Sequence, residues 1–272
     1  MKKILAMILA LVMVVGATFT MSSCAKEDNV LVCGVTPFPG FNEKDENGEW
    51  TIGFDTEFAL AVGEILGMEV KFQEIDWDQK YNELNSGAID CIWNGFTANS
   101  TDDDPSGKSV KRSELVDFSY GYMLNQQCIV VKKDRLSEFT SVESLKGKTA
   151  CAEGGSAGAS YAKSVTDEAK VNDKARAQKD ALLEVKSGAS DFAVVDILLA
   201  KNLCGKGDNT DIAIVENIVL DHEIYAVGFK KNSELTAKVN AAIKQLEESG
   251  ELKKLAERYN LENALQVTEN ID

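Results

Sequence analysis

The single histidine, His222, sits in Asp221-His222-Glu223 with no nucleophile at the spacing a catalytic pair needs, and it reads as a surface or strand-edge side chain. Glu43 and Glu153 are acidic groups of the kind that acid–base chemistry uses. Gly154-Gly155-Ser156-Ala157-Gly158 can open a helix, but it lacks the Gly-Lys-Ser/Thr ending of a phosphate loop. Asp102-Asp103-Asp104 resembles a calcium cluster only faintly and reads as a solvated loop. Arg112 ends the basic stretch Lys108–Arg112, which could be no more than a solvated loop. Asp196 closes the apolar run Ala193-Val194-Val195 and could simply cap a helix that begins near Ile197. Phe38 and Trp77 lie where a loop meets an element, a place for a wall more than for a core.

The beginning of the chain is an address. Lys2 and Lys3 precede an apolar run from Ile4 to Val15, too short to span a bilayer comfortably. Met21-Ser22-Ser23-Cys24 then resembles the lipobox of bacterial lipoproteins, with Met21 where that motif usually has Leu. The expectation is a signal peptide over 1–23, lipidation at Cys24 and a tether over 24–29. The protein would then be secreted across the cytoplasmic membrane and lipid-anchored on its outer side. Loss of Lys2 and Lys3 takes the net charge from −15 to about −17. An acidic surface argues against nucleic acid or anionic lipid as the main partner, leaving the lipid anchor as the only membrane contact.

Apolar content of 44% and only three prolines describe a packed chain with little room for disordered linkers. Beyond Cys24 there remain Cys33, Cys91, Cys128, Cys151 and Cys204, an odd number. Four of them lie in apolar, strand-like segments, where a cysteine behaves as a small buried hydrophobe. No Cys-x-x-Cys pair or Cys/His cluster has zinc spacing, and no cofactor is implied.

The elements alternate. Val30–Val35 is a short strand, Asn47-Gly48 a hairpin turn, and Asp55 the cap of a helix carrying Phe58, Val62, Ile65 and Leu66 up to Gly67. A strand with Val70 and Phe72, a helix from about Trp77 to Leu84, and a strand over Ala88–Trp93 follow. The pattern begins again with strands at Ile129–Lys132 and Thr149–Ala152. After them come a helix from Gly154–Gly158, a helix over Lys179–Lys186 and a strand over Phe192–Val195. A strand at Ile224–Phe229 and two amphipathic helices close the chain. This is an α/β protein with parallel sheets flanked by helices, in two similar units. A cleft between two such units is a preferred place for a small ligand.

Several motifs stand in a telling order: Gly53-Phe54-Asp55 into a helix, Trp77-Asp78 before the next, and Ser86-Gly87-Ala88-Ile89-Asp90 before a strand. Arg112-Ser113-Glu114-Leu115-Val116-Asp117-Phe118-Ser119, Leu145-Lys146-Gly147-Lys148 and Gly228-Phe229-Lys230-Lys231 follow. The set resembles the family 3 extracellular solute-binding proteins, amino-acid receptors of ABC importers, from about Val30 to Asn260. The resemblance implies a two-lobed periplasmic-binding-protein type II fold, each lobe a mainly parallel sheet flanked by helices. Lobe 1 would take 30–130 with 228–272 and lobe 2 131–227, joined by two strands near Ile129–Lys132 and Tyr225–Phe229 that act as a hinge.

The resemblance also implies roles. Arg112 would fork onto the ligand carboxylate, shared by backbone N–H groups at Ser156 and Ala157. Asp196 would hold the ammonium, with the Gly95 carbonyl and the Thr97 hydroxyl. Phe38 and Trp77 would be aromatic walls, and Asn94, Glu43 and Glu153 candidate side-chain contacts. Partners would be a free amino acid and an ABC transporter permease, with the receptor a monomer and not an enzyme. A dehydratase on the same scaffold, or a ligand sensor without transport, are the other readings. One departure stands out: 99–111 carries an apparent insertion of roughly ten residues, a polar loop on the cleft rim.

Overall fold

The computed structural model describes residues 29–271, so Lys2, Lys3 and the lipobox at Cys24 lie outside the described residues. The strands in chain order are β1 (Val30–Val35), β2 (Glu43–Lys44), β3 (Trp50–Ile52), β4 (Glu69–Glu74), β5 (Cys91–Ile92), β6 (Thr101–Asp103), β7 (Ser109–Lys111) and β8 (Asp117–Phe118). They continue as β9 (Gly121–Lys132), β10 (Ala150–Glu153), β11 (Val171–Ala175), β12 (Phe192–Asp196), β13 (Ile212–Ile214), β14 (His222–Tyr225), β15 (Gly228–Phe229) and β16 (Leu265–Thr268).

One sheet runs β4-β1-β5-β15-β8 and a second runs β11-β10-β12-β9-β13, with β14 and β16 also paired to β9. The ladders β1–β5, β10–β11 and β10–β12 are parallel, while the strands on β9 are antiparallel to it. From Leu31 onward the chain forms one compact unit.

The helix Phe54–Leu66 buries Phe54, Phe58, Ala59 and Val62 against the first sheet's core and ends at Gly67 in the left-handed region. Its N-cap is Gly53, not Asp55: the Asp55 carboxylate turns inward and serves the site instead. A 3-10 turn at Trp77–Gln79 leads into the helix Lys80–Ser86, and further helices cover Ala157–Val165, Gln178–Ser187 and Ile197–Leu203. Glu234–Ser249 and Glu251–Arg258 pack back on Phe54–Leu66 through Val239, Leu246, Leu252 and Leu255.

β9 is longer than the sequence suggests. Residues 123–126 pair with β14, and 127–131 pair with β12. Ile129–Lys132, expected at the hinge, therefore lies wholly inside the second sheet, and the change of ladder falls between Gln126 and Gln127. Cys128 and Val130 face one core cluster while Ile129 and Val131 face another, the alternation of a strand covered on both sides. The segment 99–111 is a hairpin, β6 against β7, with Asp102 opposite Val110.

Candidate functional site

β5, parallel to β1 in the first sheet, and the parallel neighbours β10 and β12 in the second release their chains at their carboxyl ends toward one place, the usual position for a ligand in such sheets. Of the residues expected at the site, all but Phe38 and Glu43 line a single cavity there: Trp77, Asn94, Gly95, Thr97, Arg112, Glu153, Ser156, Ala157 and Asp196, joined by Gln127 and Gln178. Its volume is about 10 Å³, room for about one water. Phe38 stands behind this wall, stacked on Phe41 at 4.5 Å between centroids. Glu43 accepts the Gly40 N–H at 2.7 Å and is not among the lining residues.

Arg112 begins the turn of helix Arg112–Leu115 directly after β7, so the hairpin sets its surroundings. It is 1% exposed, with its guanidinium 5.0 Å from the Phe96 ring centroid. Nε and Nη2 each donate to Asp102 at 3.1 Å, and Nη1 donates to the Thr97 carbonyl at 3.0 Å. A guanidinium carries five N–H groups. These bonds leave one N–H on Nη1 and one on Nη2 to offer a carboxylate. Asp102 is thus no solvated loop residue. Tyr81 donates its hydroxyl to it at 2.7 Å and Lys80 Nζ lies 3.2 Å away. Burial alone would raise the Asp102 carboxyl, but Arg112 and Lys80 together hold it below the usual range.

Lys80 crosses the cleft. It is 2% exposed and Nζ donates to the Gly155 carbonyl at 2.8 Å. Burial, with Arg112 nearby, brings its ammonium down to about 8, Asp102 resisting. Next to it, Trp77 is 5% exposed and meets Phe96 edge-on at 5.5 Å.

Gly95 has φ +56°, and a Cβ there would lie 2.7 Å from Phe38 Cε1 and 3.0 Å from Tyr225 Cε2. Its N–H donates at 2.7 Å to Asp55, which also accepts the Tyr122 hydroxyl at 2.8 Å. Burial pushes the Asp55 carboxyl up to about 7 despite those two bonds. Ser156 caps the helix Ala157–Val165, its Oγ accepting the Ala159 N–H at 3.0 Å. The hydroxyl keeps its own proton to donate, and beside it this end can offer an anion the backbone N–H set of the first turn, which has no partner within the helix.

Asp196 occupies the N-cap position of Ile197–Leu203 but makes no side-chain cap bond. Its carboxylate instead accepts amide hydrogens from Asn125 at 2.8 Å, from Gln127 and from Gln178. Asn125 and Gln127 also donate to Glu223, which accepts the Thr97 hydroxyl at 3.3 Å. Burial raises both carboxyls, Glu223 to about 7, and the Asp196 charge adds to the effect on Glu223. His222, one residue before Glu223, is exposed. Gln127, Gln178, Glu223, Lys80 and Asp102 escape the sequence reading, since no local spacing ties them to Arg112 or Asp196. The only visible trace is the polar Asn125-Gln126-Gln127 break inside an apolar strand.

Residues 31–262 match the bacterial extracellular solute-binding proteins, family 3. The arginine-binding extracellular protein ArtP of Bacillus subtilis is 29% identical over 252 residues, covering 89% of this chain and 93% of that one. An ancestral arginine-binding protein bound to arginine superposes with a TM-score of 0.74 at 34% identity, covering 85% of this chain and 98% of that one. The ancestral amino acid-binding protein AncCDT-1, described as a precursor of cyclohexadienyl dehydratase, gives 0.72 at 29% identity, covering 85% and 95%. These neighbours share the two-lobed architecture of the type II periplasmic-binding fold, with sheets flanked by helices as here. The chain belongs to the family 3 bacterial extracellular solute-binding proteins.

Proposed function

We propose that this protein is an extracytoplasmic receptor that binds a free amino acid between its two lobes and delivers it to an ABC importer. One observation carries the reading. Arg112, with an N–H group unspent on each terminal nitrogen, and the carboxylate Asp196 line the same cavity from different elements. A free amino acid brings a carboxylate and an ammonium, both costly to desolvate unless paired. The carboxylate goes to Arg112 and to the N–H groups that open Ala157–Val165; the ammonium goes to Asp196, flanked by Gly95 and Thr97.

A cavity of about 10 Å³ admits no amino acid as it stands, so the walls part for entry and close over the ligand by a hinge movement. Delivery is to a membrane permease, with the receptor held near it by two acyl chains on Cys24 after removal of 1–23. Cys24→Ala should release a binding-competent protein from the membrane fraction.

We read the protein as a binder and not an enzyme; formation of product from prephenate-like acids would overturn that. The direct test is a thermal-shift and calorimetry screen of the twenty amino acids with cystine and ornithine, since a ligand of the folded state raises its melting temperature. Arg112→Ala should weaken the cognate amino acid by roughly ten- to a hundredfold, the worth of about 1.5–3 kcal/mol for a charge-assisted bond. Unchanged affinity in that variant would remove Arg112 from the site.

A further inference from the structure

Glu153 ends β10 at the cavity wall, 3% exposed, and its carboxylate is short of hydrogen-bond donors. The hydroxyl beside it is Thr36 Oγ, 3.3 Å from Oε1, yet that same oxygen lies 2.8 Å from Asn94 Oδ1. A hydroxyl has one proton to give. Asn94 commits both amide hydrogens elsewhere, to the Thr36 carbonyl at 2.9 Å and Asn42 Oδ1 at 2.7 Å, so its Oδ1 is fixed as the nearer acceptor and takes that proton. Glu153 is left buried without a donor of its own, a costly state for an ionised carboxylate. Burial and the nearby Asp196 charge push its carboxyl well above the usual range.

The cations of the site relieve it only in part: Lys80 favours its charged form, but neither cation bonds to it. Arg112 forks onto Asp102, and Lys80 divides its ammonium between Asp102 and the Gly155 carbonyl. We propose that Glu153 receives the cationic side-chain group of the bound amino acid, so that the site takes amino acids with an ammonium or guanidinium side chain. The inference rests on the receptor reading above and adds the substrate class to it.

The strand order supports the division of labour. β10 and β12 are parallel neighbours, so Glu153 and Asp196 leave the carboxyl ends of adjacent strands, which run about 4.8 Å apart. A ligand with an α-ammonium at Asp196 and a second cation a few bonds away can satisfy both carboxylates. A neutral amino acid leaves Glu153 unpaired, and an acidic one adds a like charge.

The test is calorimetry on the purified protein with lysine, ornithine and arginine set against glutamine, leucine and cystine, repeated on Glu153→Gln. Wild type should prefer at least one cationic amino acid by tenfold or more over all the neutral ones. Glu153→Gln should lose roughly ten- to a hundredfold for that ligand and with it the preference over the neutral ones. Tighter binding of a neutral than of any cationic amino acid by wild type overturns the proposal and leaves the receptor reading intact. So does a Glu153→Gln variant that keeps the cationic preference. Binding of no amino acid at all overturns both. The wild-type comparison stands whatever the variant's stability.

Discussion

Asp102 grips Arg112 from the side, through Nε and Nη2, and so aims the end of the guanidinium into the cavity. The grip comes from β6, the first strand of the hairpin it forms with β7. Asp102→Asn keeps the shape but removes the counter-charge of two buried cations, Arg112 and Lys80. Breaking one partner out of a buried pair costs about 3–5 kcal/mol, so this variant should melt well below wild type. Calorimetry below the melting range should also find weaker amino-acid binding, because the guanidinium is no longer held. A variant that binds and melts as wild type does would make the hairpin a bystander.

Gly95→Ala should fail in two ways at once. Its φ of +56° costs an alanine about 1–2 kcal/mol, and the new Cβ would press on Phe38 and Tyr225. Both rings belong to the core behind the site, so relief requires the wall itself to shift. A lowered melting temperature together with weakened ligand binding is expected; unchanged binding would mean that the wall can shift without disturbing the pocket.

Stability should fall as pH rises from about 4 to about 7. Asp55 is pushed up to about 7 in the folded protein from 3.8, so the native state binds more protons than the unfolded chain in that window. Glu223, also about 7, acts in the same direction. Carboxyls held low by cations, such as Asp102 and Glu138, lose their contribution only in stronger acid. Melting temperatures should therefore be higher near about pH 5 than near about pH 7.5, and Asp55→Asn, which mimics the protonated acid, should flatten part of that slope. A slope of the opposite sign in wild type would show Asp55 ionised without penalty.

Much of this was legible in the sequence because the signals are local. The helix Phe54–Leu66 declares itself by its apolar spacing and Gly67, and Gly154–Gly158 announces the next helix start. Asp55 misleads because an aspartate before an apolar run is the usual cap, whereas here Gly53 fills that place and Asp55 reaches Gly95, forty positions away in the chain. Asp102 misleads because three consecutive aspartates look solvated; what buries one of them is Lys80 and Arg112, on other elements. Gln127 and Gln178 are invisible to pattern reading, since an amide shows its use only when a carboxylate is folded against it. Phe38 fits the expectation of a wall in sequence, but its stacking on Phe41 places it one layer back.

β9 exchanges one ladder for another between Gln126 and Gln127 without a break in its backbone. Asn125 and Gln127 stand on one face of that strand, one on each side of the exchange, and both hold Asp196 and Glu223. Any rotation of one ladder against the other must twist the strand between these two amides and so change their grip on both carboxylates. On the proposed function, a charge captured by Asp196 would be felt as torque on a single length of backbone, and the sensing element and the axle would be the same strand.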